Sequence, residues 1–229
     1  MNRDGQTKRE PRALRADIHS ALFDRLTTNH WAPGDHLSID GLARELKVSP
    51  TPVREAMVAL ERSGLIKYRA QRGYVVAPPL DPHQIGQLID ARLVVERAAL
   101  TRAFTADWPQ FVQALRGAQR AHSQAAERIR SSTVMDYGRM REYFDADIQF
   151  HRAFFTFSEN EFLTTMHESL GAHAHRMRQT WAGGRENFDL DETLHEHEQI
   201  LNRVEERNHD GALAALGDHL VNVRTRFSR

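Results

Sequence analysis

The sequence predicts a mainly α-helical protein in two parts: three short helices with a β-hairpin, then an antiparallel bundle of about six helices. Three observations carry this reading. Apolar residues recur every three or four positions through most of the chain, as on one face of a helix. One pair of short runs, Leu65–Arg69 and Tyr74–Val76, has strand character instead. Three prolines, Pro78, Pro79 and Pro82, fall within five positions, where they remove backbone donors and hold the chain extended.

Leu14, Ile18, Leu22 and Leu26 are spaced by four and predict a first helix ending before the turn Ala32-Pro33-Gly34-Asp35. Ser38 can cap a second helix carrying Ile39, Leu42, Ala43 and Leu46. Ser49 can cap a third, with Val53, Ala56, Met57 and Leu60 inward and Gly64 as its stop. Ala70-Gln71-Arg72-Gly73 is the hairpin tip, where glycine supplies a positive φ. The expected division is 1–77, a proline-rich linker 78–82, and a helical body 83–229. In the body, breaks fall near 105–109, 131–134, 158–161, 183–191 and 208–211; Pro109 suits a first turn, Asn160 and Asp191 are candidate caps, and Gly183-Gly184 can end a helix. Connections this short favour antiparallel neighbours.

The 229 residues include no cysteine, so disulfides and thiolate metal sites are excluded. No apolar run is long enough for a membrane span or a signal region, which predicts a cytoplasmic protein. The zero net charge conceals an asymmetry. Residues 1–80 hold 13 Lys+Arg against 9 Asp+Glu, whereas the remainder holds 18 against 22 and takes 10 of the 13 histidines. A basic head on an acidic, histidine-rich body points to nucleic acid at the basic end.

The head has the geometry in which the second helix of a helix-turn-helix enters the major groove of duplex DNA. With Val53, Met57 and Leu60 inward, Thr51, Arg54 and Val58 face away. Arg54 can make a bidentate pair with guanine, Thr51 can reach a phosphate or a thymine-side group, and Arg44 can meet a phosphate. Arg69 and Arg72 can reach an adjacent minor groove. Taken together, Pro33-Gly34-Asp35-His36-Leu37, Leu42-Ala43-Arg44-Glu45-Leu46, Val48-Ser49, Thr51-Pro52-Val53-Arg54-Glu55-Ala56, Gly64-Leu65-Ile66 and Arg72-Gly73-Tyr74-Val75-Val76 resemble the winged helix-turn-helix of the GntR superfamily over residues 12–77. The resemblance implies a DNA-facing set of Arg44, Ser49, Thr51, Arg54, Arg69, Arg72 and Gly73. Pro50 departs from that family, which usually has an arginine there, so the remaining side chains carry more of the affinity.

In the body, Asp147 and His151 are four apart and share one helix face, as an oxygen and a nitrogen donor for one metal do. His197 lies in the stripe Leu194, His197, Leu201, Val204, and His219 lies beside Leu216, Leu220 and Val223; both aim inward. Burying four such groups is costly unless they share hydrogen bonds or a cation. Asp147-Ile148-Gln149-Phe150-His151, Ser158-Glu159-Asn160, His197-Glu198-Gln199-Ile200-Leu201 and His219-Leu220 resemble the FCD ligand-binding domain of the FadR branch. That resemblance implies a divalent metal on Asp147, His151, His197 and His219. A sulfur-free O/N₃ set suits Zn²⁺ first, with Ni²⁺, Mn²⁺ or Fe²⁺ as alternatives. His195, on a different face, is expected to be exposed; His167, His173 and His175 are taken as surface or outer-sphere groups. Arg92 falls on the apolar stripe of the body's first helix, where a guanidinium wants either an anionic effector or Glu96 at i+4.

The expected function is a ligand-responsive transcription regulator and not an enzyme. It would be a homodimer on near-palindromic operator DNA, whose body binds a metal and a small carboxylate or sugar-acid effector. The rival readings are a metal-dependent hydrolase, with Glu159, Glu196 or Glu198 as base, and a metal that only staples a dimerisation domain.

Overall fold

The structure is a computed structural model that describes residues 11–134, 136–184 and 188–227, with the side chains of residues 11 and 12 outside the description. It divides into two compact units, Met1–Pro78 and Pro79–Arg229. The expected break at 183–191 includes residues 185–187, which lie outside the described residues.

The N-terminal unit contains α1 (Pro11–Thr27), β1 (His36–Leu37), α2 (Ile39–Leu46), α3 (Pro50–Arg62), β2 (Ile66–Arg69) and β3 (Gly73–Val76). The α1 residues Ile18, Leu22 and Leu26 and the α3 residues Val53, Ala56, Met57 and Leu60 are buried in one core, with α1 and α2 packed against α3. Ser38 caps α2, accepting from the Gly41 N–H at 3.2 Å. Lys47 closes α2 in the left-handed region at φ 56°, which turns the chain towards α3. Ser49 occupies the N-cap position of α3, but its side chain makes no capping bond. Pro52, the third residue of the helix, has no N–H, which removes one of the two donors such a cap can use and leaves that of Thr51. The hairpin forms as predicted, and β1 adds an edge strand that the sequence reading did not include; the antiparallel order is β1-β3-β2. Gly73 has φ +70°, which favours glycine, and a Cβ there would lie 3.2 Å from His36 Nε2, so that ring would have to give way slightly.

The C-terminal unit is helical: α4 (Pro82–Ala103), α5 (Trp108–Arg130), α6 (Tyr137–Ser158), α7 (Glu161–Leu170), α8 (Ala172–Gly183), α9 (Leu190–Glu205) and α10 (His209–Phe227). Pro82, the last proline of the expected linker, is the first residue of α4, behind a capping box formed by Asp81 and Gln84. Asp107 caps α5 and Asn160 caps α7. There are seven helices among the described residues, because Gly171 at φ 59° parts what reads in sequence as one helix into α7 and α8. Asp191 is not a cap: Asp189 precedes α9, and Asp191 pairs with Arg130 from the first turn. Ile89, Leu100, Phe111, Phe150, Phe154 and Leu220 belong to a single core shared by these helices. No helix among the described residues is long and apolar enough to cross a membrane.

Candidate metal centre and nucleic-acid interface

In the N-terminal unit, Ser49, Thr51 and Arg54 are exposed at the start of α3, Arg44 on α2, and Arg69 and Arg72 on the hairpin. Arg15 and Arg25 are instead paired, with Glu55 and Glu45 at 2.9 and 2.6 Å. Among the described residues, Arg44, Arg54, Arg69 and Arg72 are in no ion pair. Exposed cations with no internal partner are available to an external anion.

The C-terminal unit buries five of its ten histidines, His122, His151, His175, His197 and His219. Asp147 and His151 project from α6 one turn apart, His197 from α9 and His219 from α10, and all four are 0–1% exposed. The three imidazole rings stand 4.8 to 5.2 Å from one another between centroids. Ligand atoms of His151, His197 and His219 lie within 4.8 Å of one another, as do those of His122, Asp147 and His197. Asp147 Oδ1 is 3.6 Å from His197 Nε2.

Hydrogen-bond partners fix how these rings are turned. His151 Nδ1 is 2.6 Å from Glu96 Oε2, and His219 Nδ1 is 2.8 Å from Glu196 Oε2. Each Nδ1–H therefore donates to a carboxylate and leaves the Nε2 lone pair turned inward. His197 Nδ1 is 3.3 Å from His122 Nδ1, and His197 stacks on Phe150 at 4.0 Å. The Nε2 atoms of all three histidines, with Asp147 Oδ1, are buried and have no hydrogen-bond partner among the described residues. Leaving a buried polar atom unpaired costs about 1–3 kcal/mol, so the clustered Nε2 atoms of the three histidines, with Asp147 Oδ1 beside that of His197, fit a cation. Neutral nitrogen lone pairs and one carboxylate are donors suited to a divalent transition metal.

The electrostatics agree. Burial, then the neighbouring His219, pushes the His197 imidazole well below its ordinary range, and burial brings His219 and His122 down to about 4. These rings are neutral at pH 7, the form that ligates. For Asp147, burial alone would raise the carboxyl, but the hydrogen bond from His173 helps hold it well below the usual range. The Glu196 carboxyl, which burial would also raise, is held at about 2 by Arg226 and His219.

Arg92 makes the i+4 pair, Nε to Glu96 Oε1 at 2.6 Å, while its Nη2 is buried with no partner. His195 is exposed, and His175 is buried. His173 and His167 are not surface groups: His173 Nδ1 is 3.2 Å from Asp147 Oδ2, and His167 Nε2 is 3.8 Å from Glu96 Oε1. His122 is absent from the sequence reading, and Glu96 and Glu196, which enter it as the Arg92 partner and a candidate base, are not foreseen there as partners of His151 and His219. His122 was detectable, since Leu115, Gln119, His122, Ala126 and Ile129 alternate at spacings of four and three along α5. The carboxylate partners carry no sequence signal of their own, because glutamate is common on helices.

The carboxylates that could serve a hydrolase are unsuited to it. Both oxygens of Glu196 are bonded to His219, Asn222 and Arg226, while Glu159 and Glu198 are exposed.

Comparison with known proteins agrees with this division. Residues 14–76 match the family described as "Bacterial regulatory proteins, gntR family", and residues 87–222 match the FCD domain. An HTH-type transcriptional regulator from the TAR-I ttuE-ttuC' intergenic region of Agrobacterium vitis is 32% identical over 113 residues, which cover 48% of this chain and 66% of that protein. The HTH-type transcriptional regulator LutR of Bacillus subtilis is 29% identical over 202 residues, covering 83% of this chain and 90% of that one. Among solved structures, E. coli McbR/YncC has a similar fold, with a TM-score of 0.73 at 19% identity over 93% of this chain and 96% of that one. A basic helix-turn-helix head and a helical body matching the FCD domain across most of its length mean that the chain belongs to the GntR family of transcription regulators, and to its FCD-containing members.

Proposed function

We propose that this regulator is a homodimer in the cytoplasm that senses a small organic acid through a metal-loaded C-terminal unit and adjusts its grip on operator DNA accordingly. The observation that carries the reading is the group of unpartnered, buried Nε2 atoms on His151, His197 and His219 beside Asp147 Oδ1. These four residues hold the ion, Zn²⁺ by preference, and the ion supplies a Lewis-acidic anchor for an anion. Arg92 adds a second anchor: its Nη2 is buried and unpartnered even though Nε is committed to Glu96. A carboxylate or sugar acid suits that pair of charges.

On DNA, Arg54 and Thr51 read base edges in the major groove. Arg44 and Ser49 meet the backbone, and Arg69, Arg72 and Gly73 present the wing to the adjacent minor groove. Two heads on a dimer then match two half-sites.

Elemental analysis of the purified chain, followed by a thermal-shift screen of mono- and dicarboxylates and sugar acids with operator binding as readout, tests this. The expected result is about one metal per chain and a saturable acid that shifts operator affinity. Metal without any acid effect would reduce the ion to a structural staple. Turnover of an acid would favour a hydrolase, and a metal-free, unresponsive protein would refute the proposal.

A further inference from the structure

Two of the three clustered histidines donate their Nδ1 proton to a carboxylate that an arginine also holds. On α4, Arg92 Nε is 2.6 Å from Glu96 Oε1, and Glu96 Oε2 is 2.6 Å from His151 Nδ1. At the other end, Arg226 Nη1 and Nη2 lie 2.7 Å from Oε1 and Oε2 of Glu196, whose Oε2 is 2.8 Å from His219 Nδ1. The two chains differ in burial. The Arg92 and Glu96 side chains are sealed in, whereas those of Glu196 and Arg226 are 13% and 18% exposed. Glu196 and His219 also line an open groove of about 540 Å³ between α9 and α10.

The fork of Arg226 grips both carboxylate oxygens, which fixes the plane of Glu196 in a way a point charge does not. The fork is itself anchored. Arg226 Nε is 2.5 Å from Asp189 Oδ2, and Asp189 is held from α8 by Arg176 Nη2, also at 2.5 Å. Asn222 Nδ2 donates to Glu196 Oε1 at 2.9 Å. A ring whose Nδ1 is tied to so restrained an acceptor has little freedom to swing its Nε2 away from the cluster.

We infer that Arg226 is a positioning residue which, acting through Glu196, orients His219 and so sets the metal affinity of the site. The inference rests on reading the histidine cluster as a metal site. It predicts that affinity can be tuned from the groove side of the protein without touching a ligand.

The test is titration of the full-length, metal-stripped chain with Co²⁺, followed by its visible absorption and by Zn²⁺ competition. Arg226→Gln should weaken Co²⁺ binding about tenfold, and Glu196→Gln by about ten- to a hundredfold, the range found when an outer-sphere partner is lost. Arg226→Lys should recover only part of the loss, because ammonium cannot fork. Glu196→Gln should also shift the Co²⁺ absorption band. Arg116→Gln, which opens the exposed Arg116–Glu205 pair, should leave affinity and band unchanged. If Arg226→Gln does not fold, Asn222→Ala on the exposed face of α10 replaces it, with an expected loss of about threefold, the share of one exposed hydrogen bond. Unaltered Co²⁺ affinity and band in folded Glu196→Gln and Arg226→Gln, or in Asn222→Ala, would overturn the inference even if those variants melt earlier. Failure of the wild-type chain to bind Co²⁺ would instead overturn the metal reading, and the inference with it.

Discussion

On α2, α3 and the hairpin, Arg44, Arg54, Arg69 and Arg72 stand in solvent without an ion-pair partner among the described residues. In the C-terminal unit, His151, His197 and His219 keep Nε2 atoms without a partner in a sealed interior. The two situations look alike on paper and differ physically. Water solvates an exposed guanidinium at no cost to folding, so an unpaired surface arginine is permissive evidence for a ligand. A buried nitrogen has no such refuge, and several together oppose folding until something fills the gap. The interior therefore argues for its partner more strongly than the surface does.

The sharpest way to break this comparison is His219→Ala. Loss of one ligand should abolish stoichiometric metal and, with it, the stabilisation a bound ion gives, about 2.7 kcal/mol when metal is present at a hundred times its Kd. Metal content and Tm with and without chelator check this; unchanged metal content would mean that the interior needs no ion.

Acid comes next. In the metal-free chain, burial holds His122 and His219 at about 4 and His197 well below its ordinary range, against about 6.5 for imidazole in an unfolded chain. As pH falls from 6.5 towards 4, the unfolded chain takes up protons that the folded one refuses, so stability drops. At about 1.4 kcal/mol per pKa unit the loss amounts to a few kcal/mol. The low carboxyls of Asp147 and Glu96 add to the loss at still lower pH, with the same sign. Melting curves of chelated protein at pH 7.5, 5.5 and 4.5 should descend; a flat series would mean that these rings are not sequestered.

On the surface side, Arg54→Ala should cost about 1–3 kcal/mol of operator binding if the side chain reads a base, with no change in Tm. Equal loss on specific and random DNA would assign it to the phosphates instead. The smallest effect expected is that of Gly73→Ala. A Cβ at φ +70° that also crowds His36 should lower the stability of the head by about 1–2 kcal/mol, visible in Tm. An unaltered Tm would show that the hairpin yields.

The legible parts of this molecule were those written in spacing. The buried stripe of α3 and the inward aim of His197 and His219 follow from periodicities of three and four, and the caps Ser38 and Asn160 from residue type at a helix start. What escaped depended on groups far apart in sequence or on single backbone angles. Glu96 lies 55 residues from the His151 it holds, and Glu196 lies 23 from His219. Gly171 sits between Leu170 and Ala172, both good helix formers, so nothing polar marks the break. The two-residue β1 is too short to show alternation. Ser49 has the right residue type for a cap but makes no capping bond, and the proline three positions later withdraws one of the two donors it could use.

The prolines at positions 50 and 52 have a further consequence. In the first turn of α3 they leave Thr51 as the one residue of the first three with a backbone N–H to offer. A helix mouth so depleted is a poor cradle for a phosphate, and attraction to the duplex must come from mobile, fully charged arginine side chains. Each such contact displaces condensed counterions, so association should weaken steeply and log-linearly as salt is raised. Ionic strength, as much as any effector, would then govern how long this regulator stays on its operator.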